Sequence, residues 1–215
     1  MVLVAIRLQL RPVCSERHRW DMGTDEPAQA EVSEAGRRRV LVCGSRTWAG
    51  WGRDRAWSPT PAQRREAAVL AEALERLFLG VEPTPALVHG ACPTGADAIA
   101  DAWASRQLEH GVEIPIERYP AVWSAPCRPA CRPGHRRLRS DGSLYCPAAG
   151  QYRNADMVES LAPGRDVVVA AWDGKSRGTA GTLRLAGLAG IEVVYIGFDA
   201  EAARAALDAA APPTA

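Results

Sequence analysis

The sequence predicts an α/β fold, a three-layer sandwich on a mainly parallel five-stranded sheet with one cysteine-rich insertion. Three observations predict it. Short β-branched apolar runs alternate with segments whose apolar residues recur at helical spacing. Most of those runs are stopped by a glycine-bearing turn. The chain, 215 residues with 47% hydrophobic side chains, is long enough to bury one substantial core.

Arg39-Val-Leu-Val-Cys-Gly44 reads as a buried first strand stopped by glycine. Thr60 and Pro61 then supply an N-cap and a first-turn proline. In the helix they open, Ala67, Leu70, Ala71, Leu74 and Leu77 recur at helical spacing before Gly80. Ala86 to Gly90 is the second strand. Thr94-Gly-Ala-Asp97 opens a second helix that runs to about Glu109 and ends at Gly111. Glu113 to Tyr119 is a third strand, and Pro115 makes it an edge strand or an irregular one. A long irregular segment, 120–150, precedes helical character from Asn154 to Leu161. Asp166 to Trp172 is the clearest buried strand, Thr179 to Leu188 a helix, Ile191 to Ile196 a fifth strand, and Asp199 to Ala210 a closing alanine-rich helix. Strands separated by helix-length crossovers pair in parallel and place helices on both faces, which is a Rossmann-like sandwich.

Residues 1–36 show no sustained period and are expected to be a flexible tail, with Met22 available as an alternative initiator that would leave residues 1–21 outside the native protein. The domain is expected over 37–211. Its 26 basic and 25 acidic residues nearly cancel, so no whole-molecule field holds a nucleic acid or an anionic membrane. Met1 to Val13 is broken by Arg7 and Arg11 and makes a poor signal peptide. No run approaches the roughly 20 apolar residues that cross a bilayer. Six cysteines without an export signal read as reduced thiols or metal ligands, which points to the cytoplasm.

In such a sheet ligands sit outside the carboxyl ends of the strands, near helix amino termini with unpaired N–H groups. Three segments fall there. Gly44-Ser45-Arg46 lets the backbone approach a ligand and offers a hydroxyl and a guanidinium, or is merely a turn. His89-Gly90-Ala91-Cys92-Pro93-Thr94-Gly95-Ala96-Asp97 leads from strand to helix. Gly90, Ala91 and Gly95 permit close approach there, and Asp97 either contacts a ribose or braces the loop. His89 reads as a packed loop residue ahead of a catalytic base. Asp173-Gly174-Lys175-Ser176-Arg177-Gly178-Thr179 is the strongest signal, because Gly174, Lys175, Ser176, Gly178 and Thr179 gather amides, hydroxyls and the chain's one lysine at a helix start. Neither a Walker loop nor a G-x-G-x-x-G signature is present, which counts against an ordinary NTPase or nicotinamide dehydrogenase. Trp48, Trp51 and Trp57 either stack on a base or fill the space between loop and first helix, and the filling reading is favoured.

The ordered set Val42-Cys43-Gly44-Ser45-Arg46, His89-Gly90-Ala91 with Gly95-Ala96-Asp97, Arg153-Asn154 with Met157, and Gly174-Lys175-Ser176 with Gly178-Thr179 resembles the YspA/cpYpsA-related branch of the SLOG superfamily. The resemblance covers most of residues 39–197. It implies a Rossmann-like fold and a nucleotide or nucleotide-derived ligand. The related LOG phosphoribohydrolases cleave a nucleotide N-glycosidic bond, and the resemblance to them makes Arg153 the candidate catalytic residue, with Asn154 beside it. Thr182 stands where their glutamate would be, which removes the carboxylate that acts as base or stabilises an oxocarbenium-like sugar. A sensor or binding protein is therefore the leading expectation. N-glycoside hydrolysis, with an acid borrowed from Asp97 or Asp173, is the alternative. Single-stranded DNA binding, implied by the DprA branch, is disfavoured by the neutral charge and the lack of a stacking series.

Cys127-x3-Cys131-x3-His135-x10-Cys146 supplies the three thiolates and one imidazole of a closed tetrahedral zinc site. Free thiols and redox pairing are the alternatives. The expectation is a structural zinc stapling the insertion, 124–150, as a lid that carries Arg136, Arg137, Arg139 and Arg153 over an anion. With four protein ligands no position stays open to activate water, so zinc hydrolysis is not expected. The expected partner is a nucleotide-like small molecule, and the sequence leaves a homo-oligomer open.

Overall fold

A computed structural model of the chain describes residues 36–52, 58–197 and Ala202. In chain order the elements are β1 (Arg39–Gly44), α1 (Pro61–Phe78), β2 (Ala86–His89), α2 (Ala96–Glu109), β3 (Ile116–Arg118), β4 (Arg137–Leu138), β5 (Leu144–Tyr145), α3 (Ala149–Glu159), β6 (Val167–Ala171), α4 (Arg177–Leu188) and β7 (Glu192–Ile196). Five strands form one sheet in the order β3-β2-β1-β6-β7, and every neighbouring pair is parallel. This is the expected Rossmann-like α/β sandwich. β3 lies at an edge, where Pro115 costs no ladder bond on a missing neighbour.

Side-chain alternation along the strands divides the core into two layers. Val40 and Val42 of β1 and Val167, Val169 and Ala171 of β6 face α1 and α2, packing on Leu70, Leu74, Phe78, Ile99 and Trp103. Leu41, Cys43, Val168 and Ala170 face the other way, onto Met157 of α3 and Ala180, Leu183 and Ala186 of α4. At the amino edge, Asp166 ties β1 to the approach to β6. Its buried carboxylate accepts from Arg39 N at 2.9 Å, Ala162 N at 2.7 Å and the Arg165 guanidinium at 2.8 Å.

Local rules explain the helix starts. The Thr60 hydroxyl accepts from Gln63 N, and the Gln63 side chain accepts from Thr60 N, a complete capping box. At α2 the cap is Gly95 and not Thr94, with φ 72° and no side-chain cap bond. A Cβ on Gly95 would collide with the Ser45 carbonyl, so the close approach of the β1 loop decides the position.

The connection from β3 to α3 differs most from expectation. It contains a two-stranded antiparallel hairpin, β4–β5, with Arg137 opposite Tyr145 and Leu138 opposite Leu144. α3 begins at Ala149, five residues before the expected start at Asn154. Between Tyr119 and Ala148, Cys146 is the one buried residue. The expected tail falls outside the described residues apart from Gly36, and so does the expected closing helix apart from Ala202. Among the described residues no helix is long and apolar enough to cross a membrane.

Candidate functional site

After β1 the chain builds the sheet outward to β2 and β3, then returns to place β6 on the other side of β1. The crevice at the carboxyl ends of β1 and β6 is thus the topological switch point. Gly44 stands opposite Ala171 there, and a Cβ on it would strike the Ala171 carbonyl and the Ala96 methyl. Ser45 N donates to Ala171 O at 3.0 Å, and Asp173 N donates to Ser45 Oγ at 3.4 Å. The two loops so joined form one side of a cavity of about 460 Å³.

The start of α4 forms the floor. Ser176 caps it, its Oγ accepting from Thr179 N and from the Thr179 hydroxyl at 2.9 Å. Asp173 folds back so that one carboxylate oxygen accepts from Lys175 N at 2.9 Å and Ser176 N at 3.0 Å. Burial opposes its charge, but the Ser45 hydroxyl and these backbone N–H groups outweigh burial and hold the carboxyl below the usual range. Asp173 is therefore ionised at neutral pH. Lys175, Ser176, Gly178 and Thr179 all line the cavity. Gly174 does not, and at φ 75° it makes the turn that carries them.

The opposite wall comes from α3. Arg153 and Asn154 line the cavity, but much of the Arg153 fork is used on protein groups. Its Nη1 donates to the Gly90 carbonyl and, at 3.1 Å, to the Tyr119 carbonyl, while its Nε donates to Asn154 Oδ1 at 2.9 Å. A Cβ on Gly90 would collide with this guanidinium. Gly90 is thus where Arg153 crosses the end of β2, and it does not line the cavity; nor do Ala91 and Gly95. Asn154 Nδ2 donates to Gly178 O at 3.3 Å, joining α3 to α4. Asp97 lines the cavity with one oxygen accepting from Cys92 N at 3.1 Å, so it braces the loop and still faces the space. Gly44, Ser45 and Arg46 complete the predicted residues found in the lining.

His89 is fully buried away from the cavity. Its Nδ1 accepts from Ala91 N at 3.1 Å, and its Nε2 stands 3.3 Å from Asp101. Burial lowers its pKa against the pull of Asp97 and Asp101, so it is a neutral, packed residue. Trp48 is also buried, its indole N–H 3.4 Å from the Glu66 carbonyl of α1, and Trp51 packs on the same core layer. Both fit the filling reading, while Trp57 lies outside the described residues.

Cys43, Thr47, Cys92, Pro147, Gly150 and Gln151 also line the cavity and were not expected to. A signal for part of this was present. Gly150, Arg153, Asn154 and Met157 are spaced i, i+3, i+4, i+7 and mark one helical stripe, visible once the helix is begun before Asn154.

Cys127, Cys131, His135 and Cys146 do come together, all four ligand atoms lying within 4.8 Å of one another. The Cys131 and Cys146 sulfurs are 3.9 Å apart, and His135 Nε2 is 3.6 Å from Cys127 Sγ and 3.1 Å from Cys146 Sγ. No disulfide joins them. His135 Nδ1 is 2.7 Å from the Arg132 carbonyl, which fixes the ring with Nε2 facing the thiols. Of the four arginines expected over the anion, only Arg153 reaches the cavity. Arg136 donates to the carbonyls of Ser124, Ala125 and Leu144, and Arg139 lies over the Tyr145 ring. The insertion's own backbone and a ring take up Arg136 and Arg139, while Arg137 is exposed on β4.

Residues 38–125, which include β1 to β3, match the family model of the YspA, cpYpsA-related SLOG family. The chain is 32% identical over 160 residues to the Gene 61 protein of Mycobacterium phage D29, an alignment covering 74% of this chain and 97% of that protein. Among solved structures it is similar to DNA processing protein A (DprA) from Streptococcus pneumoniae, at a TM-score of 0.46 and 15% identity over 81% of this chain. The chain spans 56% of the length of that protein. With the phage relative aligned almost end to end and the family match lying across the first half of the sheet, this chain belongs to the YspA, cpYpsA-related SLOG family.

Proposed function

We propose that the switch-point cavity binds a nucleotide or nucleotide-derived small molecule and that the protein acts in the cytoplasm as a binding protein or sensor. The observation that carries this reading is the convergence of the β1 turn, the start of α4 and the Arg153–Asn154 stripe of α3 on one cavity of about 460 Å³. The Lys175 ammonium, the Ser176 hydroxyl and the Arg177 and Gly178 amides suit a phosphate, because these amides of the first turn are left over once Asp173 and Ser176 have taken the Lys175, Ser176 and Thr179 N–H groups, and the helix dipole presents its positive end there. Asp97, facing the cavity as an acceptor, suits ribose hydroxyls. N-glycoside hydrolysis is less well supported. Thr182, at the position of the missing glutamate, donates its hydroxyl to Gly178 O, and Asp173 is held ionised with no proton to give.

The same proposal includes one zinc ion at the Cys127, Cys131, His135 and Cys146 cluster. Tetrahedral zinc with bonds of about 2.3 Å to sulfur and about 2.0 Å to nitrogen spaces its ligand atoms roughly 3.5–3.8 Å apart. The 3.9 Å and 3.6 Å separations found here are close to that spacing, and the 3.1 Å between His135 Nε2 and Cys146 Sγ is shorter than it.

Isothermal titration with nucleoside monophosphates, ADP-ribose and NAD tests the nucleotide reading. Saturable one-to-one binding of at least one of them is expected. Failure of every compound would overturn the reading, and release of free base from a bound nucleotide would replace it with hydrolysis.

A further inference from the structure

We infer that the metal centre is a working part of the nucleotide pocket: an ion in the cysteine–histidine cluster fixes the first half of α3 as the pocket wall, so nucleotide affinity depends on metal occupancy. This rests on the nucleotide reading of the cavity and adds to it what builds one of its walls.

The two halves of α3 are held by different things. Met157 and Val158, near its end, are both buried, Met157 in the core layer beneath α4. From Ala149 to Asp156 no residue is buried, yet this half carries Gly150, Gln151, Arg153 and Asn154 into the cavity. The insertion grips it. Cys146 lies three residues before the helix, and the intervening Pro147 lines the cavity. The Tyr152 hydroxyl stands 3.0 Å from Cys131 Sγ. Arg128, next in sequence to Cys127, pairs with Asp156 and lies 4.8 Å from the Tyr152 ring centroid. The Trp123 ring covers Gly150 closely enough to leave 3.3 Å to a Cβ there, and the Trp123 carbonyl accepts from Cys146 N at 2.9 Å.

Each of these grips starts at a cluster ligand, at its sequence neighbour or at a group bonded to one. The insertion has no apolar core to hold them in place, since Cys146 is its one buried residue. A connection of this length with one buried residue is costly to order by its hairpin and the Arg136 bonds alone, and a bound ion would supply the crosslink. The Arg153 and Asn154 bonds to Gly90 and Gly178 then set the wall's final position. Tyr152 is a positioning residue, its hydroxyl directed at a ligating sulfur from the helix that lines the pocket. By linkage, a nucleotide bound against this wall must also tighten retention of the metal.

The test uses the full chain, with metal content, hydrogen exchange and titration with AMP and ADP-ribose measured before and after zinc removal by a chelator under reducing conditions. About one zinc per chain is expected. Its removal should leave β1 and β6 protected, raise amide exchange across 149–153 at least tenfold and weaken nucleotide binding at least tenfold, with both effects reversed by added zinc. Tyr152→Phe should keep the metal at roughly 10- to 100-fold lower affinity and shift the thiolate-to-metal absorption of the cobalt-substituted protein. Protein that purifies without metal and already shows slow exchange across 149–153 would overturn the inference, as would unchanged exchange across 149–153 after removal, unchanged nucleotide affinity, or loss of protection over the whole sheet. If neither nucleotide binds the zinc-loaded protein, the nucleotide reading falls, while the exchange measurement still decides whether the ion holds α3.

Discussion

Gly90 and Arg153 show how one residue's identity is set by another far along the chain. The sequence marks Gly90 as a point of close approach, and the approaching group proves to be the Arg153 guanidinium crossing to the Gly90 and Tyr119 carbonyls. Gly90→Ala should therefore expel Arg153 and cost about 1–3 kcal/mol through overpacking. It should also weaken nucleotide binding as much as Arg153→Ala does, because both changes remove the same guanidinium from the pocket wall. Unfolding midpoints and titrations of the two variants check this; a Gly90→Ala protein that binds like wild type would show that Arg153 reaches the ligand by another route. Asp173 teaches a related lesson. A carboxylate beside the cavity suggests catalysis, yet the Lys175 and Ser176 amides make it an acceptor that shapes the loop after β6.

Among the elements, α2 keeps its expected span, α4 starts two residues before the expected Thr179, and α3 starts five before the expected Asn154. Ser176 caps α4 through its side chain and also lines the cavity, so one side chain closes the helix start and faces the proposed site. Ser176→Ala should destabilise the protein by about 1 kcal/mol and lower nucleotide affinity, whereas Ser176→Asp should restore the cap but not the affinity. A second carboxylate beside Asp173 repels phosphate, so equal loss of affinity in the two variants would be compatible with the proposal and full recovery in Ser176→Asp would not. α2 starts at Gly95 because the β1 loop passes too close for a side chain. α3 starts early because the insertion, absent from any periodicity, supplies contacts for a first turn with no buried residue.

At the scale of the whole molecule, near-zero net charge conceals a segregated distribution, since the stretch from Tyr119 to Ser140 contains five arginines and no carboxylate. Global stability should also depend on pH through Asp166, which joins the amino edges of β1 and β6. Burial works against its charge, but the Arg165 guanidinium and the Arg39 and Ala162 amides outweigh burial and hold its pKa below the ordinary value. Its contribution is therefore complete above about pH 3.9 and is lost as pH falls from there through the lower folded value. Asp166→Asn should cost on the order of 2 kcal/mol at neutral pH and flatten the acid limb of the stability curve. Denaturant melts from pH 2 to 7 measure both; an unaltered acid limb would assign it to other carboxylates.

The sequence by itself determined the parallel sheet and its crossovers, the glycine turns after β1 and β6, and the four residues of the cysteine–histidine cluster. Hydrophobic period, turn chemistry and ligand type are local properties that short segments carry alone. Tertiary structure decided which of those turns share a cavity, that Gly90 and Gly95 make room for protein rather than ligand, and that α3 reaches back to the cysteines. Each of these depends on close packing between segments tens of residues apart, and no periodicity within one segment encodes the distance to another.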